Sequence, residues 1–262
     1  MADEHYKLSL GAGTAKSRLA VALDQAAELK LAATIVEVAR DLAHSVPAPR
    51  GAPYFYLDSE APYDPHVLDA LCERGIFRKY EFALDIGSGL GGRSRWLATR
   101  SGCRVLGIDP HLATVAAAQM LNRRARMDSQ VTFQLGRTDA LPLRAGVFTH
   151  VWLVDVPYDT TPAETYAEAF RVLRPGGHFA LQCPVSRDVR PDALLDVLRD
   201  IGFIELDAYE GIFPQLPQAC VLARERLRDA LRQRLAAAAA WERMEQREHG
   251  HVRLLIFARR PA

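Results

Sequence analysis

The stretch Ala83-Leu-Asp-Ile-Gly-Ser-Gly-Leu-Gly-Gly-Arg-Ser-Arg-Trp-Leu joins an apolar run, a carboxylate, four glycines and a helix-forming tail. This order predicts a strand that turns through glycine into a helix. Gly87, Ser88, Gly89 and Gly91 would let the backbone pass close to a ligand, and the first amides of the helix would face it unpaired. Gly87, Gly89 and Gly92 also satisfy GxGxxG, the spacing of a dinucleotide-binding turn, and Asp109 follows about twenty residues later, where such a turn keeps its ribose acid. The glycines alone therefore leave the ligand open, including a tight strand-to-helix turn that binds nothing.

Charge separates the alternatives. A carboxylate at Asp85, directly before the loop, would repel the pyrophosphate of NAD, and more strongly in a low-dielectric cleft. S-adenosylmethionine has no phosphate and carries a sulfonium and an ammonium, so Asp85 favours it. Asp109 could accept hydrogen bonds from two ribose hydroxyls in either case.

The elements that would position these residues can be read along the chain. Residues 14–44 show apolar positions three and four apart with almost no Gly or Pro, which predicts one or two helices ended by Pro47 and Pro49. A Pro- and aromatic-rich loop follows, with Tyr54, Phe55, Tyr56 and Tyr63, and a helix resumes near Pro65 and runs to Ile76. Then come the short apolar runs FALDIG, CRVLGID, VTFQLG, VFTHVWLVD, GHFALQCPV, FIELDAY and VRLLIFARR, separated by helical stretches. That alternation predicts an α/β fold, a Rossmann-like seven-stranded, mostly parallel sheet with helices on both faces, built as five β-α units and two closing strands. Residues 1–64 are read as a helical arm with an aromatic lid loop and residues 65–262 as the ligand-binding domain, with a helical insert at about 216–247 between the last two strands.

Five segments in order, ALDIGSGLGGRSRWLA, CRVLGIDP, GRTDALPL, EAFRVLRPGG and HFALQ, resemble the class I S-adenosylmethionine-dependent methyltransferases. The likeness is greatest to the small-molecule branch with the sarcosine and dimethylglycine, phosphoethanolamine, and tocopherol or quinone methyltransferases. It implies that Asp85, Gly87, Ser88 and Gly89 line the methionine end of S-adenosylmethionine and that Asp109, with Pro110, holds the ribose. It also implies that Asp139 and Ala140 meet the adenine and that Pro175, Gly176 and Gly177 form a structural turn.

Methyl transfer needs alignment and exclusion of water more than it needs a base. Acceptor-site residues should lie beyond the carboxyl end of the fourth strand, which selects Asp155, Tyr158 and Asp159. Asp155-Val156-Pro157-Tyr158 is shorter than the corresponding stretch of the small-molecule relatives and resembles the Asp/Asn-Pro-Pro-Tyr motif of adenine and glutamine N-methyltransferases. Capping of the next helix is the competing role for Asp155. The aromatic loop would either shield a cationic ligand by cation-π contact or anchor the arm. His150 reads as a packed strand residue, His178 as one that could equally face solvent, and His111 as either an adenine neighbour or an exposed loop residue.

The remaining composition narrows the partners. A net charge of +1 argues against a nucleic-acid partner, and His249 and His251 have no third ligand nearby, so no metal is expected. Cys72, Cys103, Cys183 and Cys220 form no CxxC pair and are read as free thiols. With no apolar run long enough to span a bilayer and no basic-then-apolar leader, the chain is read as cytoplasmic. The arginines of the insert, interrupted by Glu225 and Asp229, suit a solvated face or a homodimer contact. The expected activity is methyl transfer to an N, O or C atom of a small-molecule acceptor. Its rivals are a nucleic-acid or protein amide N-methyltransferase using Asp155 to Tyr158, a non-catalytic cofactor-binding scaffold, and an NAD oxidoreductase.

Overall fold

The computed structural model describes residues 15–43, 54–55, 65–75, 77–154, 161, 163–185, 191–211, 225, 229 and 252–262. Seven strands, β1 (Phe82–Ile86), β2 (Arg104–Asp109), β3 (Val131–Leu135), β4 (Phe148–Val154), β5 (Leu173–Val185), β6 (Ile204–Gly211) and β7 (Val252–Arg259), pair in the order β3-β2-β1-β4-β5-β7-β6. The first five run parallel, and β7 is antiparallel to both β5 and β6. The order in which strands are added switches direction between β1 and β4, and it is beyond the carboxyl ends at such a switch point that open α/β sheets take their ligands.

Strands covered on both faces carry near-continuous apolar sequence, and β4 is buried at every residue. Ala83, Val105, Trp152, Val154 and Leu255 pack under α2 (Pro65–Gly75), α3 (Gly92–Ser101) and α4 (Leu112–Ala125). On the other face Leu84, Ile108, Val151, Leu153 and Phe179 meet α5 (Ala163–Val172) and α6 (Pro191–Ile201) through Tyr166, Ala169, Leu194 and Leu198. Asp85 lies between residues of the second set and so belongs to the face of α3.

The arm is one long helix, α1 (Ala15–Ala43), whose Ala32, Ile35, Val36 and Ala39 form a stripe at helical spacing. That stripe packs on Ala117 and Leu121 of α4 and on Leu90 of the glycine loop. With the sheet on one side and α1 on the other, α4 is buried on two faces, which explains its run of small residues.

The structure departs from the sequence reading in two places. The third β-α unit lacks its helix: residues 136–147 connect β3 to β4 by turns and one isolated bridge, Arg137 to Ala140. Gly136, Pro142 and Gly146 leave that segment no helical stripe to bury. β5 also begins at Leu173, ahead of the Gly177 start, because Leu173 pairs with Phe148 before the register shifts to His178 with His150. Of the insert read at 216–247, only Glu225 and Asp229 are described, and both are helical and exposed.

Gly107 on β2 illustrates how tightly the sheet fits the loop. A Cβ there would lie 2.5 Å from Phe133 Cδ1 and 2.7 Å from Ser88 Cβ. Gly107→Ala should therefore destabilise the fold by about 1–3 kcal/mol through overpacking. Urea unfolding should show part of that loss recovered when Phe133→Leu is added to the same chain.

Candidate functional site

The glycine loop is pinned at both ends by backbone bonds. Gly87 N and Ser88 N donate to Ile108 O at 2.8 and 3.0 Å, and Gly91 N donates to Ser88 O at 3.0 Å. Gly87, Gly89 and Gly91 take φ of 73°, 55° and 80°, a left-handed conformation that costs other residues more. At Gly91 the ring of Phe133 occupies the space a side chain would need.

Asp85 is 1% exposed and sits behind this loop rather than on its surface. Its Oδ2 accepts from Ser94 Oγ at 2.6 Å and lies 4.0 Å from Arg93 Nε. Burial pushes its carboxyl above the usual range, an effect opposed by the Arg93 charge and the Ser94 bond and reinforced by Asp109. Asp85 Oδ1 and Ser88 Oγ are buried with no hydrogen-bond partner among the described residues. Two such orphaned polar atoms at a glycine turn fit a ligand or water that supplies the missing partners.

Arg93 was not singled out from the sequence. It is 3% exposed, and its guanidinium donates to Val154 O at 2.5 Å and to Gly87 O at 2.7 Å. One side chain thus bridges the ends of β1 and β4 across the crevice while neutralising Asp85. Its signal was position: a cation in the first turn of a helix that starts at the loop, on the face toward the sheet.

Asp109 closes β2 and is 7% exposed. Oδ2 accepts from Gly89 N at 3.2 Å, and Oδ1 accepts from His111 N at 2.9 Å with His111 Nδ1 3.0 Å away. With Nδ1 as donor, three of the carboxylate's four lone-pair sites are used. The imidazole is 63% exposed. Pro110 is exposed beside it.

Asp139 and Ala140 lie in the connection after β3. Both Asp139 oxygens accept from Arg137, at 3.0 and 2.5 Å, and that contact holds its carboxyl below the usual range. The connection is fastened to α5: Leu141 N donates to Glu168 Oε2 at 2.6 Å, and Arg171 donates to Leu143 O and Leu141 O at 2.8 and 3.2 Å. Asp155, Tyr158 and Asp159 follow Val154 directly in sequence but lie outside the described residues, as do Tyr56, Tyr63, His249, His251 and Cys220.

Other residues weighed above lie elsewhere. Phe55 is fully buried against Trp96, with ring centroids 6.3 Å apart, and Tyr54 lies 5.9 Å from the Arg95 guanidinium. His150 is buried between Phe77 and His178, at centroid distances of 3.9 and 5.1 Å. Burial, with Arg259 beside it, lowers the pKa of His178. These imidazoles line a cleft of about 430 Å³ at the opposite end of the sheet from the glycine loop, with Arg74, Asp207 and Arg259. Among the described residues Cys72, Cys103 and Cys183 are buried and form no disulfide with one another, and no group of His, Cys, Asp or Glu is placed to hold a metal.

A family model described as a methyltransferase domain matches residues 84–181, a span that runs from β1 into β5 and contains the glycine loop, Asp109 and Asp139. Residues 84–181 thus match a methyltransferase domain, on a sheet whose fold is that of Rossmann-like methyltransferases. The loop, with the unmatched Asp85 Oδ1 and Ser88 Oγ and the Asp109 carboxylate, fits S-adenosylmethionine chemically. The methyltransferase domain is similar to sarcosine/dimethylglycine N-methyltransferase of Halorhodospira halochloris, 28% identical over 52% of this chain and 56% of that protein. It is also similar to a sterol 24-C-methyltransferase of Saccharomyces cerevisiae, 28% identical over 42% of this chain and 29% of that protein. Erythromycin 3''-O-methyltransferase of Saccharopolyspora erythraea is 31% identical over 47% of this chain and 41% of that protein. The chain thus matches 29 to 56% of the length of these relatives. In fold, the domain is similar to Haemonchus contortus phosphoethanolamine N-methyltransferase 2 in complex with S-adenosyl-L-methionine, with a TM-score of 0.58 and 19% identity over 78% of this chain and 54% of that one. The cyclase SpnF gives a TM-score of 0.57 and 21% identity over 78% of this chain and 88% of that one.

Two outcomes follow for the scaffold of the site. Arg93→Ala leaves Asp85 a buried charge without its counter-ion and frees two carbonyls, so urea unfolding should show a loss of about 3–5 kcal/mol. Glu168 is held below its ordinary value of 4.5, chiefly by its bond from Arg171, so its contribution is present above that value and fades as pH falls through the lowered one. The stability gap between the wild type and Glu168→Gln should be widest at neutral pH and narrow at about pH 4 and below.

Proposed function

We propose that this chain transfers a methyl group from S-adenosylmethionine to a small-molecule acceptor held beyond the carboxyl ends of β1 and β4. The observation that carries this reading is the buried Asp85 carboxylate behind the glycine loop, with Oδ1 unmatched by any protein donor among the described residues. A negative charge so placed opposes a pyrophosphate and favours a ligand whose groups near the loop are cationic. The three relatives above are named for N-, C- and O-methylation, which supports the reaction class and leaves the acceptor atom open.

When bound, S-adenosylmethionine supplies a methyl carbon activated by a positively charged sulfur. The chain's own residues bind and align. Gly87, Ser88 and Gly89 present backbone at close range, with Asp85 acting as a charge behind them. Asp109 takes the ribose; its remaining site on Oδ2 accepts one hydroxyl, and Oδ1 accepts the second once the His111 ring swings out. Pro110 stays with Asp109 at the ribose, Asp139 and Ala140 border the adenine, and the Arg137 pair keeps Asp139 ionised as an acceptor. Arg93 fixes the distance between the donor loop and the end of β4, after which Asp155 and Tyr158 are assigned to the acceptor. Alignment and exclusion of water do most of the work, and a base is optional, its need set by whether the acceptor must shed a proton.

The same reading gives the chain a cytoplasmic setting and a free or homodimeric state with no nucleic-acid partner, supported by its net charge of +1. Among the described residues no helix is long and apolar enough to cross a membrane.

Calorimetric titration with S-adenosylmethionine, S-adenosylhomocysteine and NAD tests the cofactor, followed by a screen of small amines, phenols and quinols for methyl acceptance. Micromolar binding of the first two without the third is expected. Asp109→Ala should weaken that binding at least about tenfold, the loss of hydrogen bonds to a charged group. Asp155→Ala should spare donor binding and lower turnover. Binding of NAD alone would overturn the proposal, and donor binding with no acceptor in any class would favour the scaffold.

A further inference from the structure

The helix that follows the ribose acid does not cap itself. α4 starts at Leu112, three residues after Asp109, and its N-cap residue His111 makes no side-chain bond to the helix. The His111 imidazole turns instead toward Asp109 Oδ1. Within the first turn, Ala113 N donates to Glu28 Oε2 at 3.1 Å, and Glu28 belongs to α1, 85 residues upstream. A carboxylate at this position both satisfies an open amide and complements the positive end of the helix. The same arm packs Ala32, Ile35 and Val36 around Leu90, so it touches the glycine loop as well as the helix behind the ribose acid.

Resting on the methyltransferase reading above, we propose that Glu28 is a positioning residue of the donor site. Its cap holds the start of α4, and with it the Asp109–His111 turn, in the geometry that receives the ribose. Docking of the arm and binding of the cofactor are thereby linked: whatever loosens the Glu28 contact lets the turn fray, and a ligand on Asp109 favours the docked arm. Linkage requires the effect to be reciprocal.

The experiment titrates S-adenosylhomocysteine into the full chain as wild type, Glu28→Ala, Glu28→Gln and Lys30→Ala, with hydrogen exchange at the Ala113 amide followed in each without ligand. Lys30 is an exposed residue of the same helix. Loss of an N-terminal cap corresponds to a weakening of about three- to tenfold for Glu28→Ala, with faster exchange at Ala113. Glu28→Gln keeps an accepting oxygen and should bind within about twofold of wild type, as should Lys30→Ala. In the wild type, ligand should slow exchange along α1, and Glu28→Ala should abolish that slowing. Unchanged affinity and unchanged Ala113 exchange in Glu28→Ala overturn the proposal. Should Glu28→Ala lose its folded arm, the amide variant decides, because equal loss in Gln and Ala also overturns it. A wild type that binds no S-adenosylhomocysteine overturns the cofactor reading instead, while Ala113 exchange still reports on the cap.

Discussion

A carboxylate buried at the end of a central strand sets the terms for everything around it. Asp85 cannot keep its charge at 1% exposure unless cations and dipoles reach it. The glycine turn is what makes that supply local: it reverses the chain tightly enough for Ser94 and Arg93, one helical turn away, to fold back over the carboxylate. Arg93 then spends its remaining donors on Gly87 O and Val154 O. Electrostatic compensation of one side chain thus fixes the mouth of the crevice between β1 and β4, the place where a doubly wound sheet takes its ligands.

The donor side is assembled from segments far apart in sequence, and each is held by something outside itself. Asp109 orients the loop through Gly89 N. The connection after β3 has no helix of its own and relies on Glu168 and Arg171 of α5. α4 lies between the sheet and α1, which covers Leu90 on one side and meets the helix start on the other. Rigidity at the site is borrowed from packing beneath it, as is usual where ligand-contacting residues sit on loops. The fold alone does not determine chemistry, since a cyclase and an N-methyltransferase show comparable likeness to it.

Much of this was legible in the residues. All seven apolar runs became strands; β1, β2 and β4 were the most legible because parallel strands covered on both faces carry near-continuous apolar sequence, and the glycine turn was legible because few alternatives to glycine tolerate its backbone. What escaped the sequence was pairing over distance. Arg93 and Glu28 look like ordinary helix-surface charges until the fold brings each to one carboxylate or one amide. Counting five β-α units put a helix between β3 and β4, although the Pro and Gly of residues 136–147 spoke against one. Asp85 was singled out as charge next to the loop, but its burial and its need for a counter-ion depend on the opposing strand and helix.

The Arg93 bridge also orders events in time. Its two backbone acceptors lie on either side of a gap of 61 residues between Arg93 and Val154, and β1 pairs with β4 across that same gap. A chain emerging from the ribosome can form β1, the glycine turn and α3 early, yet Asp85 and Arg93 stay half-solvated until β4 arrives beside them. Contacts of such long sequence separation form late and at the cost of closing a large loop. The nascent N-terminal half therefore carries an incompletely covered, charged seam during synthesis, and its folding is completed by a strand from the second half rather than by anything in the first.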